Sequence, residues 1–284
     1  MTNKSIALLH PGNMGVSIGS CAMRAGHQVG WVAAGRSAET TARANAAEFR
    51  GYTTLKELLL ASEIVLSVCP PAAALDTATE VAALGYSGIY LDANAISPQS
   101  AVHVAETVQA SGSTYIDGGI IGPPAMKPNT TRLYLSGLQC NEIKACFTDT
   151  NVEAITIGRS LSAASALKMC YAGWTKGSAA LLLSIAALAE AENVGPVLRE
   201  EWRRSIPALS DRLESNANAN AEKAWRFVGE MNEIADTFEA NQLPGEFHRG
   251  AAAIYARLAQ YKNVDEIPSL DAILRALLDS PDTA

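Results

Sequence analysis

The sequence predicts a doubly wound α/β domain followed by an all-helical one, on three observations. Short continuous apolar runs alternate with helix-length stretches through the first half, the pattern of buried parallel strands joined by crossover helices. A glycine-bearing turn separates the first run from the first helix. From 196 onward apolar residues recur at helical spacing with no strand pattern. At 284 residues and 48% hydrophobic composition the chain is long enough for two cores, and the boundaries are expected at 1–159 and 160–284.

The elements follow in order. Ile6-Ala7-Leu8-Leu9 reads as a strand covered on both faces, and a helix over 14–25 is closed by Gly26. A second strand spans 27–33, and Arg36-Ser37 leads into an alanine-rich helix reaching about 49. A short helix at 54–61 precedes the buried strand 64–68, which Pro70-Pro71 stops. A helix over 72–83 leads to the strand 88–92; Ser97-Pro98, serine as N-cap and proline at the first helical position, starts another helix. Strands at 132–136 and 152–157 finish the sheet. A helix over 160–192 then extends for about 50 Å, ended by Asn193-Val194-Gly195-Pro196. Gly173 and Gly177 within it suit either close contact with another helix or ordinary packing. Apolar stripes follow at Trp225, Val228, Met231, Ala235, Phe238, then at Phe247, Ala251, Ile254, Leu258, then at Leu270, Ile273, Leu274, Leu277. Glu230, Glu233 and His248 are polar residues on these helices, for which a ligand-facing role competes with a solvated face.

The net charge of −7, with no lysine or arginine run, argues against nucleic acid or an anionic membrane as partner. The five cysteines show no CxxC spacing, so they are expected as reduced core residues of a cytoplasmic protein. Too few apolar residues follow Lys4 for a secretory leader. The apolar stretch 177–189 is shorter than the roughly 20 residues of a bilayer span, so a buried helix is expected. No Asp/His/Cys cluster has metal-ligand spacing.

Four strand ends carry candidate cofactor residues. The turn Pro11-Gly12-Asn13-Met14-Gly15 enters a helix, where free backbone N–H groups and a positive dipole end suit a diphosphate. The usual first glycine is replaced by His10, while Gly12 and Gly15 are retained. At the second strand end, the acid that would hold the ribose hydroxyls of NAD is missing, and Arg36 stands beside Ser37. A guanidinium suits bidentate phosphate recognition, so NADP is expected over NAD. Cys69-Pro70 and Asn94 lie just past the ends of the strands 64–68 and 88–92.

With these residues in view, the chain resembles the NAD(P)-binding β-hydroxyacid dehydrogenase and 6-phosphogluconate dehydrogenase superfamily, in particular a branch with its own all-helical C-terminal domain of unknown function (DUF1932). The resemblance rests on the turn at 10–15, AlaGlyArgSer at 34–37, AspAlaAsnAlaIleSerPro at 92–98, AspGlyGlyIleIleGlyProPro at 117–124, AlaAlaSerAlaLeuLysMet at 163–169 and AlaTrpArgPheValGlyGluMet at 224–231. It implies a Rossmann-type domain joined to helices that bind substrate and dimerise, with the site between the domains. It also implies that Lys168 is the catalytic proton-transfer group, that the loops at Cys69-Pro70 and Asn94 support the nicotinamide side, and that Ile121, Gly122 and Pro123 occupy the substrate-binding segment. This chain departs from the pattern where the superfamily has serine (Ile121), a second glycine (Pro123) and asparagine (Ala172). The expected activity is therefore NADP-dependent hydride transfer to or from a small alcohol–carbonyl pair by a homodimer. The alternatives are an imine or iminium reductase of the same architecture and a non-catalytic cofactor-binding or sensing protein.

Overall fold

The computed structural model describes residues 3–262, 264, 266 and 268–279. They form two compact units, the first ending at Met169 and the second starting at Cys170. The division falls inside the long helix rather than at 159/160, because the helix's opening turns are bonded to the sheet.

The first unit is built on eight strands: β1 (Ser5–Leu8), β2 (Gln28–Val32), β3 (Arg50–Tyr52), β4 (Ile64–Ser67), β5 (Ile89–Asp92), β6 (Thr114–Ile121), β7 (Thr131–Gly137) and β8 (Val152–Gly158). The helices between them are α1 (Asn13–Arg24), α2 (Ala38–Ala46), α3 (Leu55–Leu60), α4 (Ala74–Ala83), α5 (Pro98–Ala110) and α6 (Cys140–Ala145). The sheet order is β3-β2-β1-β4-β5-β6-β7-β8, antiparallel only at β6–β7. The direction of winding therefore reverses beside β1, and the carboxyl ends of β1, β2, β4, β5 and β6 share one edge of the sheet. Ligands bind doubly wound sheets at such an edge.

Alternate residues of each strand enter opposite cores. Ile6 and Leu8 pack with Ile18, Trp31, Leu66 and Ile116 on one face; Ala7 and Leu9 pack with Leu58, Val65, Tyr90 and Val104 on the other. This is why the strands read as unbroken apolar runs rather than alternating ones. The expected helix starts hold: Ser37 caps α2 by accepting from Thr40 N–H, Thr54 and Glu57 form a capping box on α3, and Ser97 caps α5 ahead of Pro98.

Two strands escaped the sequence reading. Edge strand β3 is three residues with little burial, and short polar edges are how sheets avoid pairing with other chains. The segment 114–121, read only as a glycine-bearing binding stretch, is the longest strand of the sheet. Its Gly118-Gly119 pair obscures the strand signal.

The long helix, α7 (Ala163–Ala191), ends with Asn193 at φ 58° and Val194 N–H bonded back to the Ala189 carbonyl, a C-terminal motif that satisfies the last carbonyls. The second unit continues with α8 (Gly195–Ser205), α9 (Pro207–Ala221), α10 (Ala224–Ala240), α11 (Glu246–Leu258) and α12 (Leu270–Leu278). Gly173 and Gly177 lie against Ile234 of α10 and Phe247 and His248 of α11, so they serve packing within the chain. The α11 stripe is rotated from the expected one: His248, Ala251, Ala252, Tyr255 and Leu258 are buried, and Phe247 is half exposed. His248 is thus a core residue packed between the rings of Phe238 and Phe247, tilted against the first and edge-on to the second, and burial lowers its pKa. Glu230 pairs with Lys176. The most apolar 18-residue window of α7 is 56% buried inside the protein. Tyr171, Trp174, Leu181, Ile185 and Leu188 along it stay exposed at the spacing of a coiled-coil seam. Cys170 is likewise exposed, unlike the other four cysteines.

Candidate active site

The glycine turn leaves the end of β1 and enters α1 with Gly12 as N-cap and no side chain capping the first N–H groups. The two glycines do different work. A Cβ on Gly15 would collide with the His10 carbonyl, so glycine there lets α1 start tight against the strand. A Cβ on Gly12 would meet nothing within 4 Å; its backbone faces open space, as a cradle for phosphate oxygens requires. Pro11 is buried, Met14 half-buried and Asn13 exposed. These features fit the diphosphate of a dinucleotide.

Arg36 lies beside this turn. Its Nη2 donates to the Leu9 carbonyl at 2.9 Å, bringing the guanidinium from the β2 end to the β1 end. Burial, reinforced by the Arg36 charge, pushes the His10 pKa down to about 4. His10 is thus neutral at physiological pH, and Arg36 is the cation of this corner. Ser37 is occupied differently from its expected role: its Oγ accepts from Thr40 N–H at 3.2 Å as the α2 cap.

At the β4 and β5 ends, Asn94 is 3% exposed. Its Oδ1 accepts from Cys69 N–H at 2.6 Å and its Nδ2 donates to Ser67 Oγ at 3.1 Å. The amide expected at the cofactor therefore holds the Cys69-Pro70 loop in place instead. The Cys69 thiol is pushed up to about 11 by burial and the nearby Asp92 carboxyl, so it stays protonated; Pro70 is exposed.

Asp92 is fully buried; its Oδ1 accepts from Asn94 N–H, and its Oδ2 has no partner. Burial, with the Asp117 charge adding and the Asn94 N–H opposing, moves its pKa from 3.8 up to about 7. The folded protein thus binds a proton that the unfolded chain has released, and stability falls as pH rises from about 4 to 7 and then levels off. Asp92→Asn keeps the Oδ1 acceptor without the charge. Between pH 5 and 8 wild type is expected to lose on the order of 3 kcal/mol more than the variant. Urea midpoints across that range check this, and parallel pH slopes would contradict it.

The third group forms where α7 meets β6. Asp117 Oδ2 accepts from Ser165 N–H at 2.9 Å and from Ser136 Oγ at 3.0 Å, and Oδ1 accepts from Ser165 Oγ at 2.6 Å. Ser136 Oγ in turn accepts from Ala164 N–H at 3.1 Å. These bonds cap the start of α7 from the sheet. A Cβ on Gly119 would stand 2.6 Å from the Ala164 carbonyl and 3.4 Å from Lys168 Cβ, so glycine is what admits the helix. Lys168, half-buried, donates from Nζ to the Ile120 carbonyl at 2.7 Å. Because β6 runs parallel to β5 and so to β1, that carbonyl lies at the same edge as the glycine turn. Three strand spacings of about 4.8 Å separate the two strands, roughly 14 Å.

Of the three residues expected to line a substrate, Ile121 turns its side chain into the protein and is 4% exposed. Gly122 and Pro123 form the β6–β7 turn, exposed: Gly122 at φ +123° packs against the Thr130 carbonyl, and the Pro123 carbonyl accepts from Thr131 Oγ1 at 2.6 Å.

Residues 5–145 match the NAD binding domain of 6-phosphogluconate dehydrogenase, and residues 189–258 match a domain of unknown function, DUF1932. The chain belongs to the 6-phosphogluconate-dehydrogenase-like NAD-binding family, in its DUF1932 branch. An uncharacterized 28.5 kDa protein of Methanothermus fervidus is 31% identical over 155 residues, 55% of this chain and 59% of that relative's length. Among solved structures, a Mycobacterium tuberculosis 3-hydroxyisobutyrate dehydrogenase holding L-serine superposes with a TM-score of 0.72 at 17% identity, covering 98% of this chain and 100% of that one. A reductive aminase from Aspergillus terreus, in complex with NADPH, cyclohexanone and allyl amine, has a TM-score of 0.57 at 16% identity, over 96% and 99%. At these identities the likeness is one of fold: that of the 3-hydroxyacid dehydrogenases, shared with reductive aminases.

Sequence reasoning singled out Lys168 and the glycine turn and passed over Ser136 and Ser165. Ser165 carries a signal in retrospect, as a hydroxyl in the otherwise apolar opening of α7; its pairing with Asp117, 48 residues away, is visible only in three dimensions.

Proposed function

We propose that this protein is an NADP-dependent oxidoreductase that moves hydride between the nicotinamide and a small alcohol–carbonyl pair, with Lys168 as general acid and base. One observation carries the reading: the Lys168 amine is held at the carboxyl end of β6, on the sheet edge that also carries the glycine turn. Gly12, Gly15 and the uncapped N–H groups of α1 would hold the diphosphate, and Arg36 a 2′-phosphate. The bound cofactor supplies the hydride or receives it. In the reducing direction the Lys168 ammonium donates a proton to the substrate oxygen as the carbonyl becomes an alcohol; in the oxidising direction the free amine takes that proton back. The Nζ–Ile120 bond points the amine before substrate arrives.

Ile121 favours a second reading. A buried alkyl side chain stands where the superfamily has serine, so no hydroxyl is offered there to a substrate carboxylate. That suits an imine or uncharged carbonyl better than a hydroxy acid. NADPH and NADH consumption, followed by absorbance across hydroxy acids with their keto acids, simple ketones and aldehydes, and cyclic imines, tests both readings. Turnover of a carbonyl with NADPH in preference to NADH is expected. Turnover confined to imines selects the second reading. Tight NADPH binding without turnover on any class overturns both and leaves a cofactor-binding protein.

A further inference from the structure

Asp117 takes no part in the proton transfer described above, yet it is the most heavily bonded buried carboxylate among the described residues. It is 1% exposed. Burial raises its pKa against the bonds from Ser165 and Ser136 that lower it. Seating a carboxylate there is costly, since desolvation of a buried charge commonly outweighs what its partners return, and an ordinary serine or threonine cap would start a helix without it. What the carboxylate adds is register. Its two oxygens grip the backbone and side chain of one residue, Ser165, which fixes the rotation of α7 about its axis as well as its starting point.

Rotation matters because Lys168 follows Ser165 by three residues, on nearly the same face of the helix. The second tie between the two elements is Lys168 Nζ to the Ile120 carbonyl, three residues beyond Asp117 on β6. Between the two ties, Gly119 lets the Ala164 carbonyl and Lys168 Cβ approach the strand. Strand and helix are therefore pinned at two points about 10 Å apart along β6. One of those points is the amine itself.

We infer that Asp117, acting through Ser165, is a positioning residue that sets where the Lys168 amine stands. This rests on the reading of Lys168 as the acid–base group. Asp117→Asn leaves one oxygen acceptor and places an amide donor where Ser136 Oγ and Ser165 N–H also donate. Ser165→Ala removes only the Oγ bond and leaves the backbone bond, so it serves should the first variant fold poorly.

Two measurements on the full-length protein keep this inference separate from the reading beneath it. The first is limited acetylation of lysine amines, quantified residue by residue by mass spectrometry, with exposed Lys56 as internal reference. Lys168 is expected to label about 10-fold faster in Asp117→Asn than in wild type, the effect of losing one hydrogen bond to a charged group. The second is steady-state kinetics. A fall in kcat of about 10²-fold is expected for Asp117→Asn, and a smaller fall for Ser165→Ala, with the NADPH Kd unchanged. A carboxylate that only stabilises the fold would lower the melting temperature and leave both the Lys168:Lys56 labelling ratio and kcat as they were; that result overturns the inference. Faster labelling with unchanged kcat upholds the positioning of the amine by Asp117 and counts against Lys168 as the acid–base group. Unchanged labelling beside an inactive Lys168→Ala defeats the role of Asp117 while the lysine mechanism survives.

Discussion

Lys168→Ala is expected to lower kcat on the best carbonyl substrate by about 10²–10⁴-fold, the contribution of a positioned general acid, with little change in NADPH affinity. The two effects separate because the structure separates their sources. The cofactor features sit at the ends of β1 and β2, and the lysine sits at the end of β6, three strands away. Removing the side chain beyond Cβ leaves Asp117, Ser136 and Ser165 bonded as before, so the start of α7 stays seated. The Ile120 carbonyl loses its lysine donor in a buried strand, so the variant is also expected to melt somewhat lower. Lys168→Arg sharpens the test. Arginine retains the positive charge but does not give up its proton in the working pH range, so it cannot serve as the base in alcohol oxidation. Oxidation is therefore expected to fall as far in the arginine variant as in the alanine one. Equal activity of wild type and Lys168→Ala in NADPH titrations and initial rates would remove the lysine from the chemistry and leave the nucleotide cradle intact.

How much of this was legible in the sequence follows from which interactions are local. The glycine turn, the Ser97 cap and most of the apolar strands each depend on residues within a few positions of one another, and these could be read; Ser37 is as local, but it was read as a cofactor contact rather than as the cap of α2. Lys168 was singled out because its family context marks it, although nothing near it in sequence indicates its partner at Ile120. Asn94 was read as a ligand contact because it lies at a strand end. Its two side-chain bonds, to Ser67 and Cys69, join two strands about 25 positions apart in the chain, and sequence pattern carries no record of that pairing. The Gly118-Gly119 pair misled in another way. Such glycines usually report a ligand or a turn, and here they report a helix backbone and a neighbouring strand close by.

The second large effect concerns Arg36, and its two roles must be told apart. Arg36→Ala is expected to raise the KM for NADPH by about 10–100-fold, the worth of charge-assisted bonds to a phosphate, while the KM for NADH moves little. The guanidinium has five N–H donors, and one of them holds the Leu9 carbonyl at the end of β1. That bond ties the phosphate-binding corner to the strand from which the glycine turn leaves, so the variant should also melt somewhat lower. If holding Leu9 were the whole purpose of the side chain, both cofactors would suffer equally, because both need the turn that follows Leu9. The ratio of the two KM values is therefore the deciding quantity. Neighbouring chemistry argues that the ratio will change. His10, the other ionisable group in this corner, is kept neutral chiefly by burial, which remains when Arg36 is removed, so no second cation stands in for the guanidinium once it is gone. Arg36→Lys restores a charge without the planar fork, and should recover part of the NADPH preference but none of the geometry. A preference unchanged in both variants would show that this chain selects its cofactor somewhere other than the end of β2.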